Sequence, residues 1–238
     1  MSQAVDANQY VLVHGARQTR GTLARWNQEP WPVLRSWVGG GLAVAIALLC
    51  VVWVISTVAR PDPTPLAIPG ITESPTAASV LPLLFGNSLV LALHGFACVA
   101  GFIAGASLPV AAEQRTGAWR WIHVKAQPVA FAWVIAVTCF SLVTQAYALG
   151  LTGSTLAHQL DISPAVLMLT VLPHALAELT ALFLPLAAWT IASRRAEWGD
   201  LLAATVATVA VAIPTLVLAA LWEVYVWPYI LEAVSPIA

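Results

Sequence analysis

Six polar side chains stand inside long apolar stretches of this sequence: Asn87, His94, Gln145, His174, Glu178 and Glu223. Their types and spacing define what chemistry the chain could do. His174 and Glu178 are four residues apart, so on a helix they share a face and can form a hydrogen bond or ion pair. Asn87 and His94 are seven apart and also share a face. Antiparallel packing could bring these faces together, with Gln145 and Thr144 joining them. Four arrangements follow: a metal site on His94, His174 and Glu178; a proton relay; a polar conduit; or a polar clamp that ties helices together. The zinc spacing His-Glu-x-x-His is absent. There is also no nucleotide-binding loop, no Gly-x-Ser-x-Gly and no Cys/His catalytic arrangement. The clamp is therefore the preferred reading, and the chain is expected to be non-enzymatic, with no catalytic residue, metal or cofactor.

The elements that must position these groups are set by composition. Apolar residues make up 60% and charged residues 9% of the 238 residues, against about 25% charge in soluble domains. Water cannot solvate such a chain, but lipid can. A net charge of −1 with scattered basic residues gives no footprint for nucleic acid. Five apolar runs, holding only Glu178 and Glu223 as charged residues, are long enough to cross a bilayer as helices: 36–59, 80–108, 129–150, 164–193, and one from Leu201 that fades near Pro228. The expected fold is an all-α membrane bundle of about five spans. A basic segment, 1–35, precedes the first span, 36–59. An outer loop, 60–79, holds five prolines, and a four-helix module occupies 80–238. Residues 1–35 are too long and polar for a signal-peptide n-region, and the 24-residue run after them exceeds an h-region, although Thr57-Val58-Ala59 loosely resembles a cleavage site. Cys50, Cys98 and Cys139 sit in apolar runs without Cys-x-x-Cys spacing and read as small buried residues.

Ionisable groups at membrane depth are costly and mark candidate sites. Orientation follows from the basic residues. With the N-terminus inside, the inner side holds Arg17, Arg20, Arg25, Arg35, Arg115, Arg120, Lys125, Arg194 and Arg195, and the outer side only Arg60. That split fits the positive-inside rule and puts Ala238 outside. Trp37, Trp119, Trp121, Trp189 and Trp198 at the inner boundary, and Tyr147, Trp222, Tyr225, Trp227 and Tyr229 at the outer one, read as interfacial anchors. Residues 18–35, with Arg20, Arg25, Trp26 and Trp31, are either a helix lying on anionic lipid or a disordered tail.

Within the spans, Gly95, Gly101 and Gly105 suggest close helix packing, and Gly101-x-x-x-Gly105 is a small-residue motif that serves contacts within the chain or between copies. Pro173, Pro185 and Pro214 each remove a backbone donor. Pro173 precedes His174, where a local break would expose carbonyls. Replacing Glu178 is expected to strand His174.

Three stretches resemble the stage II sporulation protein M family of bacterial membrane proteins. Leu172-Pro173-His174-Ala175-Leu176-Ala177-Glu178-Leu179 is similar to the family's Leu-Pro-His-Gly-x-x-Glu-Leu/Ile signature. Gly86-Asn87-Ser88-Leu89, followed by Gly95, Gly101 and Gly105, is similar to the opening of a family helix. Trp222-Glu223-Val224-Tyr225-Val226-Trp227-Pro228 is similar to its closing Ile-Glu-Ala-x-Val-Thr-Pro. Order and separation agree over roughly residues 80–232. The chain departs at Gln145–Gly150, where the family has Asn-Gly-x-x-x-Gly, and at Ala175. The resemblance implies a polytopic scaffold or anchor for a cell-envelope complex, including peptidoglycan remodelling, in the bacterial inner membrane. Its implied partners are the bilayer, other membrane or envelope proteins, and further copies of itself. A transporter or permease component using the His/Glu cluster is the alternative.

Overall fold

A computed structural model describes residues 7–113 and 116–236. Arg115, assigned above to the inner side, and Ala238, assigned to the outer, lie outside the described residues. Every regular element described is helical: α1 (Ala7–Gln28), α2 (Pro30–Val58), α3 (Ala77–Phe102), α4 (Leu108–Glu113), α5 (Gly117–Gln159), α6 (Pro164–Leu182), α7 (Leu184–Arg195), α8 (Leu201–Tyr225) and α9 (Trp227–Val234). A π-helical turn, Ile103–Ser107, joins α3 to α4, and a 3-10 turn, Trp198–Asp200, precedes α8. Five helical stretches are long and apolar enough to cross a membrane: Pro30–Val58, Ala77–Ser107, Pro128–Gln159, Pro164–Leu182 and Trp198–Tyr225.

The boundaries shift from those expected, for identifiable reasons. The third run extends to Gln159 because the small residues Gly150, Gly153 and Ser154 let α5 continue against α2. Gly150 packs on Ile55, and Ser154 Oγ donates to the Ala59 carbonyl at 2.9 Å. The end of α5 is a left-handed cap: Asp161 has φ 53° and Ile162 N–H returns to the Ala157 carbonyl. The fourth run is two helices rather than one. Pro185 cannot continue the ladder, and the chain turns at Phe183. Pro173 and Pro214, by contrast, sit within continuous helices. The segment 18–35 is helical, divided between α1 and the start of α2.

The chain forms two compact units. Unit 1 comprises Met1–Gly40, Ala92–Thr138 and Leu184–Ala210, and unit 2 comprises Gly41–Leu91, Cys139–Phe183 and Val211–Ala238. In unit 1, α1 is held by Asp200, which accepts from Thr22 Oγ1 at 2.8 Å and pairs with Arg25 at 3.0 Å. Trp26 meets Trp37 edge-on at 5.1 Å, and Gly15 lies against Phe102 and Leu202. The Gly101-x-x-x-Gly105 motif is spent inside the unit. A Cβ on Gly101 would lie 2.7 Å from Trp189 Nε1, and one on Gly105 would overlap the Trp198 ring. A Cβ on Gly95 would meet Thr205 at an ordinary 3.8 Å.

In unit 2 the proline-rich loop is tied down rather than loose. Asp62 N–H donates to Thr155 Oγ1 at 3.0 Å. The Gln159 side chain accepts from Leu66 N–H at 3.0 Å and donates to the Thr64 carbonyl at 2.7 Å. Ile68, Leu156, Leu160, Leu167, Trp227 and Leu231 form the core beneath it.

Two expectations need correcting. Cys50 and Cys139 are exposed; only Cys98 is buried, its thiol donating to the Pro185 carbonyl at 3.1 Å. The aromatic set is not uniformly an anchor. Trp37 and Trp227 are buried core residues, and Trp189 and Trp198 pack against the cluster around Cys98, Phe102 and Leu201. Trp119, Trp121, Tyr147, Trp222, Tyr225 and Tyr229 remain exposed, as anchors require.

Candidate functional site

Five of the six polar residues belong to unit 2: Asn87 on α3, Gln145 on α5, His174 and Glu178 on α6, and Glu223 on α8. His94, fully buried on α3, belongs to unit 1. The start of α6 is fixed by Ser163, whose Oγ accepts from Val166 N–H at 3.2 Å, with Pro164 at the first helical position. From that start, Thr170, His174 and Glu178 follow at helical spacing along one face.

The first two of these meet α9. Trp227 Nε1 donates to Thr170 Oγ1 at 3.2 Å, and Thr170 Oγ1 donates to the Leu167 carbonyl at 2.8 Å. The Trp227 and His174 rings lie 5.6 Å apart at 59°, within the range of aromatic contact. His174 is 6% exposed, and its Nδ1 has no hydrogen-bond partner among the described residues. The bond expected between His174 and Glu178 is not formed; the histidine's neighbour is an indole from α9. That contact exists because the chain breaks at Val226 and restarts with Trp227-Pro228. A single long helix through Pro228, as the hydropathy of the run suggests, would not have placed it there.

Glu178, one turn further along α6, has different company. The Asn87 side chain is within hydrogen-bonding reach of its carboxyl, and the Glu223 carboxyl is close enough for the two charges to interact. All three residues are half-buried. Gln145 bonds within its own helix, to Ser141 Oγ at 2.9 Å. The structure therefore brings together Asn87, Glu178 and Glu223, and pairs His174 with Trp227 and Thr170. Sequence reasoning missed Trp227 and Thr170. The proline after Trp227 was the available signal, since it marks a helix restart whose first turn carries the indole.

Chemically, two carboxyls within electrostatic range of each other in an apolar setting are a poor clamp on their own. They need a proton shared between them or a cation. Asn87 supplies one amide donor to the pair. Among the described residues no three His, Cys, Asp or Glu side chains converge to hold a metal ion. No family model, no curated protein and no solved structure matches this chain.

Proposed function

We propose that this chain is a non-enzymatic, multi-pass scaffold or anchor in the bacterial inner membrane that assembles a cell-envelope complex, a peptidoglycan-remodelling one among them. It crosses five times with its N-terminus inside and its C-terminus outside. The observation that carries the reading is the convergence of Asn87, Glu178 and Glu223. Each comes from a different one of the three stretches that resemble the stage II sporulation protein M family, and Glu178 lies within interaction range of both Asn87 and Glu223. Motifs far apart in sequence that converge on one polar contact behave as one built element. The orientation is supported by charge: unit 1 holds nine of the ten Lys and Arg residues but five of the eleven Asp and Glu residues. Crosslinking in cells followed by purification in mild detergent should enrich envelope proteins with the chain. Recovery of the chain alone would count against the scaffold.

A second reading, a transporter or permease component, is favoured by the like-charged Glu178–Glu223 contact, because a pair that needs a proton or cation can also pass one. Proton or cation flux in liposomes that disappears in Glu178→Gln and Glu223→Gln, with folding intact, would replace the scaffold by this reading.

A further inference from the structure

Unit 1 contains the same short pattern twice. Trp31 and Arg35 lie four apart on α2, and Trp121 and Lys125 lie four apart on α5. Arg35 and Lys125 are each the last charged residue before an uncharged stretch, 36–59 and 126–160 respectively. Both tryptophans are well exposed, at 69% and 63%, and both cations are exposed. Residues four apart share a helix face. Side chains on a helix tilt toward its N-terminus, so the Arg35 and Lys125 head groups lean back toward the level of their tryptophans, away from the apolar run. An indole and a raised cation on one face, at the start of an apolar span, match the two halves of a phospholipid head region: the ring fits the glycerol level and the cation the phosphate.

The rest of the unit adds charge of the same sign. The inward face of α1 is occupied by Gly15, Thr22 and Trp26, which contact Phe102, Asp200 and Trp37. Arg17 and Arg20 are left exposed. Helix α1 is therefore docked by one face and carries two outward cations on the other. Glu29 and Glu113 are the nearest described acids in sequence to the two pairs, two charges against the four of Arg17, Arg20, Arg35 and Lys125.

We propose that Trp31–Arg35 and Trp121–Lys125 are two headgroup grips selective for anionic phospholipid, the cation binding the phosphate and the indole holding the acyl-proximal part. The test uses the full chain in detergent micelles, titrated with phosphatidylglycerol or phosphatidylcholine, with bound lipid counted by native mass spectrometry. Phosphatidylglycerol should be retained in preference, and Arg35→Gln or Lys125→Gln should each weaken its grip about fivefold. The exchanges Arg35→Lys and Lys125→Arg should keep the preference. Trp31→Ala and Trp121→Ala should weaken both lipids alike. A measurement without any variant runs alongside: added salt should lower phosphatidylglycerol retention and leave phosphatidylcholine unchanged. Equal retention of the two lipids, a preference indifferent to salt, or a preference that survives the double glutamine substitution would each overturn the proposal.

Discussion

Unit 1 and unit 2 solve the same problem, holding apolar helices together, by different means. Unit 1 relies on close approach: Gly101 and Gly105 admit Trp189 and Trp198, and Gly40 meets Ala187. Its Arg25–Asp200 ion pair sits at the margin, with side chains 64% and 26% exposed, while its buried Cys98 thiol bonds the Pro185 carbonyl. Unit 2 places half-buried polar groups within range of one another, Asn87 and Glu223 around Glu178, and bonds Trp227 to Thr170. It also ties its proline-rich loop with Gln159, Thr155 and Ser154. In lipid there is little hydrophobic drive between helices, so association rests on packing and on interhelical hydrogen bonds. Unit 1 shows the first term at Gly101 and Gly105, and unit 2, where Gly150 also packs closely on Ile55, adds interacting carboxyls to it. A substitution that adds volume should therefore hurt unit 1, and one that changes charge should act on unit 2.

The largest expected effect tests the packing side. A methyl group on Gly105 would overlap the Trp198 ring, and overpacking of this kind costs about 1–3 kcal/mol. Gly105→Ala should lower the unfolding temperature in detergent by several degrees. Gly39→Ala, where a Cβ meets nothing within 4 Å, should leave it unchanged. Equal effects from the two would remove close packing as what distinguishes unit 1.

The second prediction tests the polar side. Glu178→Ala should destabilise by about 1–2 kcal/mol, because it strands Asn87, not His174 as the spacing alone suggests. Glu178→Gln retains an acceptor for Asn87 and removes the repulsion with Glu223, so it should be neutral or stabilising. Unfolding in detergent of both variants, and of each combined with Glu223→Gln, reads the coupling. If Glu178→Gln is as damaging as Glu178→Ala, the carboxyl is needed as a charge and the contact is not a clamp.

These cases show what was legible in the sequence. The five apolar runs were, because lipid demands long uncharged helices whatever their packing. The candidate polar residues were too, because ionisable groups stand out against such runs. Their partners were not. His174 and Glu178 share a face, but a face does not say what fills it. Trp227 reaches His174 only through the break at Val226, and Asn87 reaches Glu178 only through the packing of α3 with α6. Small residues hid their role: Gly153 and Ser154 fall just past the expected run 129–150, yet with Gly150 they are a contact surface for α2. Gly101 and Gly105 left contacts within the chain or between copies open, and tryptophans of the same unit occupy them.

The smallest expected effect concerns the loop of unit 2, at its exposed edge. Asp62 Oδ1 accepts from Thr64 N–H at 2.8 Å, and this bond holds the carboxyl below its ordinary value of 3.8. A depressed value means that the ionised form favours the folded loop. The contribution is therefore complete at neutral pH and fades only as the pH falls below about 3.8. Hydrogen exchange at Thr64 should be steady from neutral pH down to that point once the intrinsic pH dependence is removed, and should lose protection below it. Asp62→Asn keeps an acceptor oxygen but cannot titrate, so its profile should stay flat. The backbone ties from Gln159 and Thr155 carry no charge, and the Leu66 and Asp62 amides should hold their protection through the same range. Loss of protection across the whole loop at once would mean that Asp62 organises it. Loss confined to Thr64 would leave the uncharged side chains of α5 as what pins this edge of unit 2.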